Sequence, residues 1–344
     1  MKLVLTVLLR DEEDILDAQI AYHLAAGVDF IIATDHRSTD ASPEILARYV
    51  REGYVHVIRE ESERMDQPAW VTRMARLAAT DFGADWVINS DADEFWWPCG
   101  GSLKDVLAAV PREYGALGAL IRTFVPRPED ERPFYERMTA RLAPQAPIND
   151  PTSMYRPVPK YVHRADPDVL VGRGSHTVRL RGLRILSCWY PVEVLHFPVR
   201  SIDQIRPKAR FQIEAFSGQG SRAETAYHAK AFAALQSDRI AGYYASLALD
   251  EIALAHGLAG GSVVVDERLC WALRSLRAES RGFRPAGELA ATLEFRQSDV
   301  RERVAVAVEA AGLEEAELVR ARRTLDELEQ RLGDLQTSGR RSGT

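Results

Sequence analysis

Apolar positions in the first hundred residues alternate between continuous runs and helical stripes. Residues 2–9 form an almost unbroken apolar run, the mark of a parallel strand covered on both faces. Over 15–26 the apolar residues recur near helical spacing, and Gly27 stops the pattern. Residues 30–34 predict a second strand. Ser42-Pro43-Glu44 reads as an N-cap with proline at the first helical position, opening a helix that runs to Glu52 and stops at Gly53. A third strand is predicted over 55–58, a helix over 68–80 and a fourth strand over 86–89. This β-α-β-α-β-α-β order predicts an α/β fold, a parallel sheet with helices on both faces.

The pattern then changes. Eight prolines between 126 and 159 predict loops, with one short helix near 134–142. Strand-like pieces return at 160–163, 177–180 and 192–197, and from Ser201 the pattern is mainly helical. Leu318, Ala321, Leu325, Leu328, Leu332 and Leu335 alternate at three and four, about two and a half heptads, which predicts at most a weak homodimer through this helix. Small and charged residues at 337–344 predict a disordered tail. The organisation expected is a catalytic domain over 1–200, a helical region over 201–336 and the tail.

Composition narrows the classes. The chain has 344 residues, 46% hydrophobic and 27% charged, enough to bury a core without disulfides and too apolar for wholesale disorder. A net charge of −6 argues against sequence-independent nucleic-acid binding. Cys99, Cys188 and Cys270 are widely spaced, with no CxxC, which fits a reducing, cytoplasmic setting. The opening apolar run is too short to span a membrane and is followed at once by Asp11, Glu12, Glu13 and Asp14, so it is read as a buried strand rather than a leader.

Chemistry concentrates in Asn89-Ser90-Asp91-Ala92-Asp93-Glu94-Phe95. Two carboxylates at i and i+2 end a predicted buried strand, at the sheet edge where open α/β sheets bind ligands. Such acids repel each other and are costly to desolvate, and a divalent cation such as Mn²⁺ or Mg²⁺ relieves both. Asp35, in Thr34-Asp35-His36-Arg37-Ser38-Thr39-Asp40, ends the second strand at the same edge, where its carboxylate suits a base or ribose. Ser38, Thr39, Asp40 and Ser42 are also good helix caps.

These pieces, with the opening Leu5-Thr6-Val7-Leu8-Leu9-Arg10-Asp11-Glu12, resemble the GT-A glycosyltransferases, in particular the family-2-like group that includes the family 92 type. The resemblance is clear over residues 1–100 and extends to about 210. The family usually carries an Asn-Glu pair after the first strand, where this chain has Asp11-Glu12. The resemblance implies a GT-A fold with a helical C-terminal extension, a nucleotide-sugar donor (a UDP-sugar), and an acceptor hydroxyl on a glycan, a lipid-linked molecule or a small molecule. It places Asp35 at the base, Thr6, Leu8 and Arg10 around the nucleoside, and Asp91 near the ribose. Asp91 and Asp93 would ligate the metal with His196. Arg73, Lys208 and His176, which follows the glycine-rich turn Gly172-Arg173-Gly174-Ser175, would meet the diphosphate or sugar. It also implies inversion, with Asp130 or Asp168 as the base; Asp130 lies in Pro128-Glu129-Asp130 after a predicted strand. Two other readings are a degenerate GT-A domain serving as a scaffold and a sugar nucleotidyltransferase. The latter usually shows a glycine-rich loop where this chain has Arg10-Asp11-Glu12-Glu13.

Overall fold

The apolar runs become strands in the predicted order. A computed structural model describes residues 1–144, 159–186, 190–208 and 233–279. Cys188, most of the expected helical region and the leucine stripe 318–335 with its tail lie outside these residues. The chain divides into two units, and every element described here lies in the first, Met1–Ala143 with Val158–Arg296.

Strands β1 (Leu3–Leu9), β2 (Phe30–Asp35), β3 (Val55–Arg59) and β4 (Trp86–Asp91) alternate with helices α1 (Leu16–Ala25), α2 (Ser42–Arg51) and α3 (Gln67–Thr80). All four strands are parallel in the order β3-β2-β1-β4. Gly27 and Gly53 take positive φ, 99° and 83°, just past α1 and α2, a conformation that costs glycine least. β1 is buried along its whole length, as its unbroken apolar run requires. Leu3, Leu5, Val7 and Leu9 face the core with α1 and α2, while Val4 and Leu8 pack toward Trp70, Met74 and Ala75 of α3.

The rest of the sheet is mixed. Beyond β4 come β8 (Lys160–Arg164), antiparallel to both neighbours, then β6 (Tyr114–Thr123), β12 (Val192–His196) and β5 (Glu94–Pro98), with β11 (Arg184–Leu186) on the start of β6. Between β5 and β6 lies α4 (Leu103–Ala108), closed by a Ser102–Asp105 capping box. β6 carries Gly115 and Gly118, which obscure its strand pattern. A Cβ at Gly115 would lie 2.6 Å from Leu180 and Leu183, and one at Gly118 2.9 Å from Tyr190, so close packing selects glycine there.

β4 and β5 are joined by Ala92 and Asp93 alone, yet β8, β6 and β12 stand between them in the sheet. Four strand spacings laid flat are about 19 Å. The three Cα steps from Asp91 to Glu94 reach about 11 Å. The sheet must therefore curl, and its bend brings the acidic turn against β12.

Two local expectations give way to long-range pairing. The expected helix 134–142 is one turn, α5 (Phe134–Arg137), because Ala140–Leu142 is recruited as β7 by β13 (Val263–Val265). The expected strand 177–180 shrinks to β10 (Val178–Arg179), which pairs with β9 (Leu170–Val171). The unit also continues past residue 200 through α6 (Ile240–Leu247), α7 (Glu251–Ala259) and α8 (Arg268–Glu279). Leu269 and Leu273 of α8 share a core with Tyr22, Phe95, Phe134 and Phe197. No helix of the described residues is long and apolar enough to cross a membrane.

Candidate active site

Two loops build one side of the site by satisfying each other. The backbone N–H groups of Asp11, Glu12 and Glu13 donate to the side chains of Ser38, Ser42 and Asp40 at 3.0, 3.0 and 2.8 Å. In return, Thr39 N–H donates to Asp11 (2.7 Å) and Ala41 N–H to Glu13 (2.8 Å). The residues that read as caps are thus largely spent across the gap between loops. Ser42 is inside α2, whose N-cap is Ala41, because its hydroxyl serves Glu12. Asp11 and Arg37 hold positive φ, 54° and 57°, conformations the cross-loop bonds help to maintain.

The ends of β1, β2 and β4 lie level. Leu8 pairs with Asp91 and Leu9 with Asp35, so the two acids flank β1 about two strand spacings, or 10 Å, apart. Asp35 is buried and accepts from Ser38 N–H at 3.1 Å. Leu8 is at this rim. Thr6 is two residues below it, buried and bonded to Asn89 (2.8 Å), so its hydroxyl supports the strands. Arg10 lies half-buried, 3.7 Å from Asp11.

The acidic turn forms the opposite wall. Glu94 opens β5 and pairs directly with His196 at the end of β12, and Phe197 N–H donates to Asp93 C=O at 2.9 Å. That register sets His196 Nε2 3.5 Å from Asp93 Oδ1. Ligand atoms of Asp93, Glu94 and His196 all lie within 4.8 Å of one another. Two carboxylates and an imidazole converging in this way fit a divalent cation. Asp91, the expected partner of Asp93 and His196, stands outside this trio. Its carboxylate meets Lys160 Nζ at 2.6 Å and Gln67 Nε2 at 3.4 Å. Glu94 joins the trio because directly opposed residues on antiparallel strands project to the same side.

Cations hold these acids. Lys160, only 2% exposed, also lies 2.5 Å from Glu94. Lys208, on the helical stretch 202–208, reaches Asp93 Oδ2 at 2.7 Å. Arg200, fully buried, bonds Glu12 and Asp14 and passes 3.9 Å from Asp93. Burial drives the Glu94 carboxyl up to about 7, against the pull of Lys160. Burial also pushes Asp93 upward, but Lys208, His196 and Arg200 outweigh it and hold that carboxyl well below the ordinary range. Adjacent acids therefore differ in proton affinity because their cations differ.

The remaining expected residues scatter. His176 sits in the turn after η1 (Arg173–Ser175), its Nδ1 3.1 Å from Pro159 C=O. Gln67 ties that turn to the site, accepting from Gly174 N–H (3.1 Å) while donating to Asp91. Arg73 pairs with Glu60 at 3.0 Å on the outer face of α3. Asp130 is exposed and forked by Arg132, on the loop that leaves the end of β6 beside His196. Asp168 follows β8, whose last residue Arg164 pairs with Trp86 at the start of β4, the sheet edge opposite Asp91. Local spacing does not mark Lys160, Arg200 or Glu12 as site residues. Only Glu12 carried a signal, its place after the first strand.

No curated protein matches the chain. Solved structures are similar at low identity, three of them as follows. TarS residues 1–349 from S. aureus, in complex with UDP, is 16% identical, covering 63% of this chain and 67% of that one, with a TM-score of 0.34. The mannosyltransferase PcManGT from Pyrobaculum calidifontis, in complex with GDP-Man and Mn²⁺, is 16% identical over 90% and 87%, at 0.35. Glucosyl-3-phosphoglycerate synthase from Mycobacterium tuberculosis, with Mn²⁺, UDP and glucosyl-3-phosphoglycerate, is 17% identical over 48% and 57%, at 0.27. The family description Glycosyltransferase family 92 matches residues 8–167. That segment, similar to glycosyltransferase family 92, holds both strand-end acids and the acidic turn.

Proposed function

We propose that this protein transfers a sugar from a nucleotide-diphosphate donor, a UDP-sugar, to an acceptor hydroxyl with inversion, in a metal-dependent reaction on the cytoplasmic side. The observation that carries this reading is the convergence of Asp93, Glu94 and His196 within 4.8 Å at the curled sheet edge. It lies inside and just beyond the segment similar to family 92.

In this reading the nucleoside spans the rim from Asp35, which accepts from the base, past Leu8 and Arg10 to Asp91 near the ribose. Mn²⁺ or Mg²⁺ held by Asp93, Glu94 and His196 would supply positive charge for the departing diphosphate. Arg73 is engaged by Glu60, and His176 follows Gly174, which Gln67 ties to Asp91, so in this reading it faces the sugar from that side. Of the two acids expected as base, Asp130 leaves the sheet at the edge that carries His196, and it takes that role here. The Arg132 fork lowers its proton affinity, so in this reading Arg132 lets go of the carboxylate before Asp130 takes the proton. Asp130 accepts the acceptor's hydroxyl proton as that oxygen bonds to the anomeric carbon. The bond from that carbon to the phosphate oxygen breaks, and its electron pair leaves with the diphosphate.

Calorimetry with UDP, with and without Mn²⁺, tests the reading. Wild-type protein is expected to bind UDP only with the metal, and Asp93→Asn to lose that metal-dependent binding while melting as a folded protein. Equal binding by Asp93→Asn would defeat it. Metal-dependent binding without turnover of any nucleotide sugar would favour the scaffold reading instead.

A further inference from the structure

The two lysines at the acidic turn are held differently. Lys160 is buried, sits between Asp91 and Glu94 at 2.6 and 2.5 Å, and arises from a central strand of the sheet. Among the described residues Lys208 has one close acid, Asp93 Oδ2 at 2.7 Å, with Pro198 C=O at 3.4 Å and Glu12 at 4.0 Å, and its side chain is 27% exposed. Asp93 is otherwise almost completely buried, and Arg200, 3.9 Å away, is bonded to Glu12 and Asp14, so Lys208 is the close counter-charge of this carboxylate. Its second oxygen, Oδ1, faces His196. An ion drawn by Asp93, Glu94 and His196 therefore meets an ammonium already on the central carboxylate, and two cations that close repel.

We propose that Lys208 is the resident counter-ion of Asp93, that a divalent cation displaces it, and that the released ammonium then binds the donor diphosphate. This rests on the reading of Asp93 as a metal ligand. The ammonium holds the buried carboxylate in place before the metal arrives. Lys160 cannot exchange in the same way, since moving it would strand two acids at once. Lys208 gives up one strong contact and gains the diphosphate oxygens, so metal binding and donor binding are coupled through a single side chain.

The test measures Mn²⁺ binding by electron paramagnetic resonance on the full chain, and UDP binding by calorimetry at saturating Mn²⁺. Lys208→Met is expected to bind Mn²⁺ about tenfold more tightly than wild type and UDP about tenfold more weakly. Lys208→Arg, which keeps the charge, should retain wild-type Mn²⁺ affinity. A lysine that merely supports the fold would lower both affinities together when removed. Lys208→Gln is expected to repeat the opposed shifts, and serves if the methionine variant fails to fold. Mn²⁺ affinity unchanged or weakened in the charge-removing variants, while Asp93→Asn abolishes Mn²⁺ binding, would overturn the proposal alone. Wild-type Mn²⁺ affinity in Asp93→Asn would overturn the metal reading, and this proposal with it.

Discussion

The two halves of the curled sheet hold themselves together by different means. In the parallel half, β3-β2-β1-β4, polar groups at the rim are matched mainly by hydrogen bonds between two neighbouring loops. In the mixed half, β8-β6-β12-β5, charges are buried in pairs. Arg122 of β6 lies 2.6 Å from Glu193 of β12, and the elements packed beside them extend the network: Arg268 of α8 lies 2.7 Å from Glu193, and Arg141 of β7 and Arg268 lie 2.8 and 2.7 Å from Asp266. The first strategy spreads small contributions over many exchangeable bonds. The second concentrates large, unforgiving ones, because removing one partner leaves a buried charge unmatched. The acidic turn stands where the two meet, and it draws cations from the mixed half and the segment after it.

Glu193→Gln should expose that contrast most strongly, with a loss of about 3 to 5 kcal/mol in urea denaturation. Its pH dependence sharpens the point. Burial pushes the Glu193 carboxyl up, but Arg122, Arg268 and Arg141 hold it down at about 2, against an ordinary 4.5. The wild-type contribution is therefore complete above pH 4.5 and fades as pH falls toward 2, whereas the glutamine variant should lack that component. Asp130→Asn, on a loop of the mixed half, should lower turnover about a hundredfold, or about 2.7 kcal/mol, with the melting temperature unchanged. In the parallel half, Ser42→Ala should cost only about 1 kcal/mol in thermal denaturation, since it removes one bond of the lace. A cost matching that of Glu193→Gln would erase the distinction between the halves. Arg73→Ala should be the mildest, at most about 0.5 kcal/mol, with UDP affinity in Mn²⁺ unchanged. A tenfold weaker UDP affinity would return Arg73 to the diphosphate.

This division also explains what could be read in the sequence. The parallel half is local: each apolar run, stop glycine and strand-end acid can be read from its neighbours. Asp35 and Asp91 consequently emerge at one edge, as the pattern predicts. His196 was reachable because it ends an apolar strand. Lys160 was not, as it acts on Asp91 from 69 residues away across an antiparallel insertion. Arg200 reaches Glu12 over 188 residues, a distance at which spacing carries no information. Ala140–Leu142 misled for the same reason, since its partner β13 lies far along the chain and overrides the local helical pattern.

The two-residue link between β4 and β5 makes the acidic turn the clasp of a bent ribbon. Its length is set by closure before any chemistry is asked of it. A longer link would let the free edge drift away and carry the imidazole out of reach. A shorter one would tear the hydrogen-bonded seam. Whatever ligand fastens this clasp also stiffens the ribbon it closes.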